Sequence, residues 1–315
     1  MKTLIIKLGA TGDVVRTTTL LHVLEGEIHW LTSDNNAVML EGAGRIAEII
    51  PWKEARGIKG RTYDRVINLE DTLEVAALQQ SLRTGRLFGA YLNGAGKMDY
   101  TDDASEWFDL SLISRFGRKK ADRLKLENRK TFQEMIFAGL GYTFSGQPYH
   151  LPLSPSTDLA GDIAIAPESG NVWPMKRWAY FNDLKILLEK DGYTVNFLPQ
   201  RKSLLEHIGD IRNHRFLISG DSLPMHIGLG FGIKCLSIFI CTSPWEIYDY
   251  GVQKKMVSPY LERYFYRRDF DPEAPASIPL DQVYQAVKAH LTEAGRSEGL
   301  TGLVRSNEAA YRVSN

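Results

Sequence analysis

Apolar residues along this chain fall into short runs, and between the runs they thin out to the spacing of an amphipathic helix. The first run, residues 4–8, ends at Gly9-Ala10-Thr11-Gly12-Asp13, after which Val14, Val15, Leu20, Leu21 and Leu24 recur at helical intervals. That order predicts a strand, a glycine-containing turn and a helix. Residues 28–32 and 65–69 repeat the strand signal, residues 71–82 the helical one, and residues 89–93 add another strand. Strands alternating with helical patterns predict parallel βαβ units.

From residue 99 to 139 the chain turns charged and aromatic, with Arg118-Lys119-Lys120 and a helical period strongest at 131–140, a pattern that predicts solvated helices. Residues 147–155 then hold Pro148, Pro152 and Pro155 and read as an extended connector. The alternation restarts beyond it. Strands are predicted at 163–166, 193–198, 215–218 and 235–239, and helices at 178–190 and within 224–231. A last helix carries Val283, Tyr284, Val287 and Leu291, followed by a polar tail from Gly295. The fold class is therefore α/β, with two Rossmann-like parallel-sheet domains, 1–153 and 154–280, and a terminal segment 281–315. Such domains face each other across a cleft at the carboxyl ends of their strands, where ligands collect in open α/β sheets.

Composition narrows the possibilities. With 315 residues, 43% hydrophobic and 24% charged, the chain is a globular protein of about two domains rather than a disordered one. Lys plus Arg (38) equals Asp plus Glu (38), so the field of a general nucleic-acid binder is missing and membrane contact is at most peripheral. Cys235 and Cys241 are too few for a disulfide framework or a zinc site, and no apolar run approaches a membrane span. A cytoplasmic protein is expected.

Four segments could carry chemistry. Thr11 and Gly12 lie in a turn where backbone N–H groups can approach an anion, although neither GxGxxG nor a P-loop is present. Asp13 would complement a helix dipole or act as a general base at the cleft. In Asp221-Ser222-Leu223-Pro224-Met225-His226, either Asp221 or Ser222 would cap a helix, and the same helix start could hold a diphosphate. Lys176 and Arg177 leave a strand for a loop, as solvated charge or as cations that offset phosphate. Thr242 follows a strand in a turn and could present its hydroxyl to the cleft. For Trp107-Phe108 and Tyr264-Phe265-Tyr266, core packing is expected over stacking on a sugar.

In order along the chain these segments resemble glycosyltransferase family 9, the heptosyltransferase-like enzymes of the GT-B fold. Residues 5–14 are similar to its opening strand and GD turn, 63–69 to its next landmark, Lys176-Arg177-Trp178 to its K-x-W element, residues 221–226 to D-[ST]-G-x-x-H, and 239–244 to F-G-P-T-x-P. Leu223 stands for the family's usual glycine, and Ile240-Cys241 for Gly-Pro. If Trp173-Pro174 is instead the family's W-P pair, Asn171 takes the lysine position. The resemblance implies inverting transfer, without metal or cofactor, from a nucleotide-diphosphate sugar, typically ADP-heptose, to a glycan, lipid-linked or small-molecule acceptor. It implies Asp13 as base and Lys176, Arg177, Asp221, Ser222, His226 and Thr242 on the donor side. A GT-B-shaped epimerase or hydrolase and a non-catalytic nucleotide-sugar binder are the other readings.

Overall fold

The computed structural model describes residues 1–168, 170 and 172–297, so Ser169, Asn171 and the polar tail past Ser297 lie outside it. The first half runs β1 (Lys2–Ile6), α1 (Thr11–Thr17), β2 (Glu27–Thr32), β3 (Ile46–Pro51), β4 (Thr62–Asn68), α2 (Leu73–Gln80), β5 (Arg83–Leu92), β6 (Met98–Tyr100), α3 (Ser105–Phe108), α4 (Arg118–Glu127) and α5 (Phe132–Gly139). The second half runs β7 (Gly161–Ala166), α6 (Phe181–Lys190), β8 (Val195–Phe197), α7 (Leu204–Arg212), β9 (His214–Gly220), α8 (Leu223–Gly230), β10 (Lys234–Phe239), β11 (Gln253–Val257), α9 (Leu261–Tyr264) and α10 (Leu280–Ser297).

The first sheet has the order β3-β2-β1-β4-β5-β6 and the second β11-β10-β9-β7-β8. Among the described residues, only the β5–β6 pair is antiparallel. Both are doubly wound orders, and each reverses direction at one point: between β1 and β4 in the first sheet, and between β7 and β9 in the second.

Local chemistry explains where the elements depart from the sequence pattern. The expected long first helix stops at Thr17 and tightens into a 3-10 turn over Thr18–His22. Three consecutive threonines turn their hydroxyls back on the backbone: Thr17 donates to the Asp13 carbonyl (2.7 Å), Thr18 to Val15 (2.5 Å) and Thr19 to Arg16 (2.9 Å). The helix expected from residue 178 begins at Phe181, because the buried Trp178 is held apart by its indole N–H donating to the Ile278 carbonyl at 2.9 Å.

Large side chains fill both halves. Ile5, Trp30, Phe88 and Phe137 belong to one cluster of the first half, and Trp178, Phe216 and Tyr264 to one of the second. Each such side chain contributes about 1.5–3 kcal/mol by burial. A third cluster crosses the boundary, where Val15 and Met39 pack with Tyr149, Met225 and Ile227. The connector alternates sides as extended chain does. His150 donates its backbone N–H to Thr18 Oγ1 (2.8 Å) in the first half, while Tyr149 and Leu151 pack against α8.

Candidate active site

The two reversal points of the sheets meet across one cleft. Asp13 follows β1 at the first, while Lys176 follows β7 and Asp221 and Ser222 follow β9 at the second. Together with Thr11, Gly12, Arg16, His226 and Thr242 they line a cavity of about 690 Å³, a size typical of small-ligand sites.

Asp13 sits in the first turn of α1 with its carboxylate one-third exposed toward the cleft. Arg16 Nη2 lies 3.0 Å from Oδ1 and Lys7 Nζ 3.7 Å from Oδ2. Burial opposes its ionisation, but the Arg16 guanidinium and then Lys7 outweigh that and hold the carboxyl below the usual range. It is ionised at neutral pH. Arg16 is itself buried, with its guanidinium 4.1 Å from the Phe132 ring centre and its Nε without a partner. The Thr11 hydroxyl lines the cleft but is spent on the fold, donating to Asn36 Oδ1 at 2.7 Å.

On the opposite wall, Lys176 Nζ donates to Asp221 Oδ2 (2.9 Å) and to its carbonyl (2.8 Å). Burial works against the Asp221 carboxylate, yet Lys176 draws it down to about 2. Ser222 stands at the N-cap of α8 by position, but neither it nor Asp221 caps the helix through its side chain. The acid is taken by Lys176, and the buried Ser222 Oγ has no partner. Ser243 Oγ and His226 Nδ1, both in the cleft wall, are likewise buried and unpaired. Burial, and next the Arg16 charge, depress His226 to about 4, so its ring is neutral. Thr242 is buried beside Asp221.

Arg177 does not join them. Lys176 ends a 3-10 turn and Arg177 is extended, so successive side chains part. Arg177 pairs with the exposed Glu168 at 3.4 Å and lines a separate depression with Pro167 and Phe197. Leu223 faces the cleft, and Pro224 removes an N–H from the first turn of α8.

Sequence reasoning missed several wall residues. Arg16, three positions after Asp13 on α1, was readable as its i,i+3 partner. Lys125 and Glu246 come from remote segments with no shared signal, and Trp107 and Tyr266 were expected in the core. Phe108 and Tyr264 pack in the core as expected, whereas Trp107 and Tyr266 border the cleft instead. Tyr266 does so through a left-handed backbone (φ 49°), a conformation that costs a non-glycine residue energy and concentrates at functional sites. Lys125 Nζ lies 4.2 Å from its ring centre and 3.9 Å from Glu246 Oε1.

No family model matches the sequence, and no curated protein matches it. Solved structures do match. The chain resembles E. coli heptosyltransferase WaaC, solved with ADP, at 15% identity over 92% of this chain and 100% of that one, with a TM-score of 0.59. A glycosyl transferase family 9 protein from Veillonella parvula DSM 2008 matches at 17% identity, 93% and 97% coverage and a TM-score of 0.61. The E. coli ADP-heptose lps heptosyltransferase II matches at 14% identity, 94% and 100% coverage and a TM-score of 0.59. The fold is GT-B. In GT-B terms, Asp13 stands on the wall of the first sheet, and the Lys176–Asp221 pair and the start of α8 on the wall of the second. Among the described residues, no helix of this GT-B chain is long and apolar enough to cross a membrane.

Proposed function

We propose that the protein is an inverting glycosyltransferase that moves a sugar, heptose-like and ADP-linked, from a nucleotide-diphosphate donor to an acceptor hydroxyl. The observation that carries this reading is one cleft with an ionised carboxylate, Asp13, on one wall and unpaired buried donors beside a lysine, Ser222, Ser243 and Lys176, on the other. Unpaired buried polar atoms imply a missing partner, and a helix start with hydroxyls and an ammonium fits a diphosphate.

In the reaction, Asp13 takes the proton of the acceptor hydroxyl while its oxygen attacks the anomeric carbon. The carbon–oxygen bond to the diphosphate breaks on the opposite side, which inverts the centre. Lys176, the hydroxyls and the dipole of α8 stabilise the departing diphosphate without a metal. Because Pro224 supplies no N–H, hydroxyls and Lys176 carry most of that load. The donor rests on the second half, and a glycan, lipid-linked or small-molecule acceptor enters from the first.

Thermal-shift measurements against ADP-, GDP-, UDP- and dTDP-sugars, followed by product analysis with candidate acceptors, test the reading. Stabilisation by one donor class and an inverted glycoside are expected. Free sugar or an epimerised nucleotide sugar as sole product would replace it with the hydrolase or epimerase reading, and no stabilisation by any donor would overturn it.

A further inference from the structure

The strands on either side of the first reversal point each release one charged side chain, Lys7 after β1 and Glu70 after β4. Glu70 Oε1 accepts from Lys7 Nζ at 2.8 Å, from the Leu8 N–H at 2.8 Å and from the Gly9 N–H at 3.4 Å. The same ammonium stops 3.7 Å from Asp13 Oδ2, beyond hydrogen-bond reach. Asp13 Oδ1 is engaged by Arg16 at 3.0 Å. Oδ2 is therefore the freer oxygen of the base, and it is free because a second carboxylate restrains the lysine.

We propose that Glu70 is a positioning residue for glycosyl transfer: by holding Lys7 back, it keeps Asp13 Oδ2 open to the proton of the acceptor hydroxyl. The inference rests on Asp13 acting as the base, as proposed above. Two further observations support it. The Lys7 and Glu70 side chains are only 9% and 13% exposed, so water does little to screen the choice between the two carboxylates. Asp13, Lys7 and Glu70 also line a recess of about 290 Å³ that shares Trp107, Lys125, Trp173 and Tyr266 with the main cleft, so acceptor and restrained lysine meet at the same oxygen.

The charges that act most on Asp13 are Arg16 on α1, Lys7 after β1, His226 on α8 and Asp221 in the turn before α8, and the recess beside it is also lined by Asp71 after β4, by Arg118, Asp122 and Lys125 on α4, and by Arg268. His226 is neutral above about 4 and Asp221 ionised above about 2. Around neutral pH those two are constant, and Arg16 keeps its charge throughout.

Glu70→Gln tests the proposal, because the amide keeps an oxygen for the Leu8 and Gly9 N–H groups and loses the charge that restrains Lys7. Lys7 then closes on Asp13. The expected result is a kcat lower by about tenfold, a donor KM within about twofold of the parent, and an acid limb of kcat/KM moved to lower pH. Adding Lys7→Met should restore most of kcat and move the limb above that of Glu70→Gln. A carboxyl-carbon NMR titration of Asp13, which needs no substrate, should show its midpoint falling in Glu70→Gln and rising in Glu70→Gln/Lys7→Met. An unmoved midpoint in folded Glu70→Gln, or a double variant as slow as the single one, overturns the proposal. A parent protein inert with every donor overturns the transferase reading and, with it, the role of Glu70 in transfer, whereas the midpoint alone decides whether Glu70 restrains Lys7.

Discussion

A β-carbon placed on Gly12 would stand 2.6 Å from Cδ2 of His226 and 3.1 Å from its Nε2. The two halves thus meet through α1 and α8 at a spacing only glycine allows. Alanine for glycine inside a helix ordinarily stabilises by about 0.5–1 kcal/mol; here the added carbon overlaps the buried His226 ring, which must be displaced from its place in the cleft wall, and that displacement reverses the sign. Gly12→Ala should lower the melting temperature by several degrees and transfer by about tenfold or more. Calorimetry should show Gly12→Ala/His226→Ala recovering part of the loss.

Asp13→Asn keeps the shape of the side chain and removes its basicity. Transfer should fall by about 10²- to 10⁴-fold, while calorimetric donor affinity stays within about threefold. Loss of donor binding in a folded variant would contradict the division of roles between the two walls.

Lys176 and Asp221 are a shielded pair, with side chains 15% and 16% exposed. Lys176→Ala leaves the carboxylate unpaired and should cost about 3 kcal/mol in urea unfolding, together with a clear loss of donor affinity. In Lys176→Met/Asp221→Leu, stability should return and donor affinity should not. Joint recovery would mean that Lys176 serves the fold alone.

The buried His226 makes stability depend on pH. An unfolded chain takes up this proton at about 6.5, the folded one only at about 4. Between those values the unfolded state binds the extra proton, so stability is complete above pH 6.5 and declines as pH falls toward 4, by on the order of 3 kcal/mol. Burial depresses His150 and His207 in the same direction. Urea titrations should therefore show a shallower slope between pH 4 and 6.5 in His226→Gln, without abolishing it. Asp221 adds a second decline below pH 3.8, toward 2.

The inner strands were readable because burial leaves unbroken apolar runs: Leu4, Ile5 and Ile6 in β1, and Phe216, Leu217 and Ile218 in β9. The strands that escaped lie at sheet edges. β3, β6 and β11 each pair on one side only, and their half-exposed positions admit Glu48, Asp99, Lys254 and Lys255, which blur alternation. Asp13, Lys176, Asp221 and Ser222 could be located because each follows a strand end in sequence. Arg177 was misplaced since sequence adjacency says nothing about which way a loop side chain turns. Lys125 and Tyr266 reach the cleft by tertiary contact across more than a hundred residues, which no local pattern encodes.

The connector stitches the two halves along its length, Tyr149 and Leu151 to one side and His150 between them to the other. Such a stitched spine resists twisting and sideways sliding, and Pro152 and Pro155 stiffen its far end by fixing their φ angles. Opening to admit or release a ligand must then work like a book on its binding, with the rims at Trp107 and Trp173 travelling far and the floor at Gly12 and His226 hardly at all. Across such an opening the carboxylate and the hydroxyls that face it would keep their register.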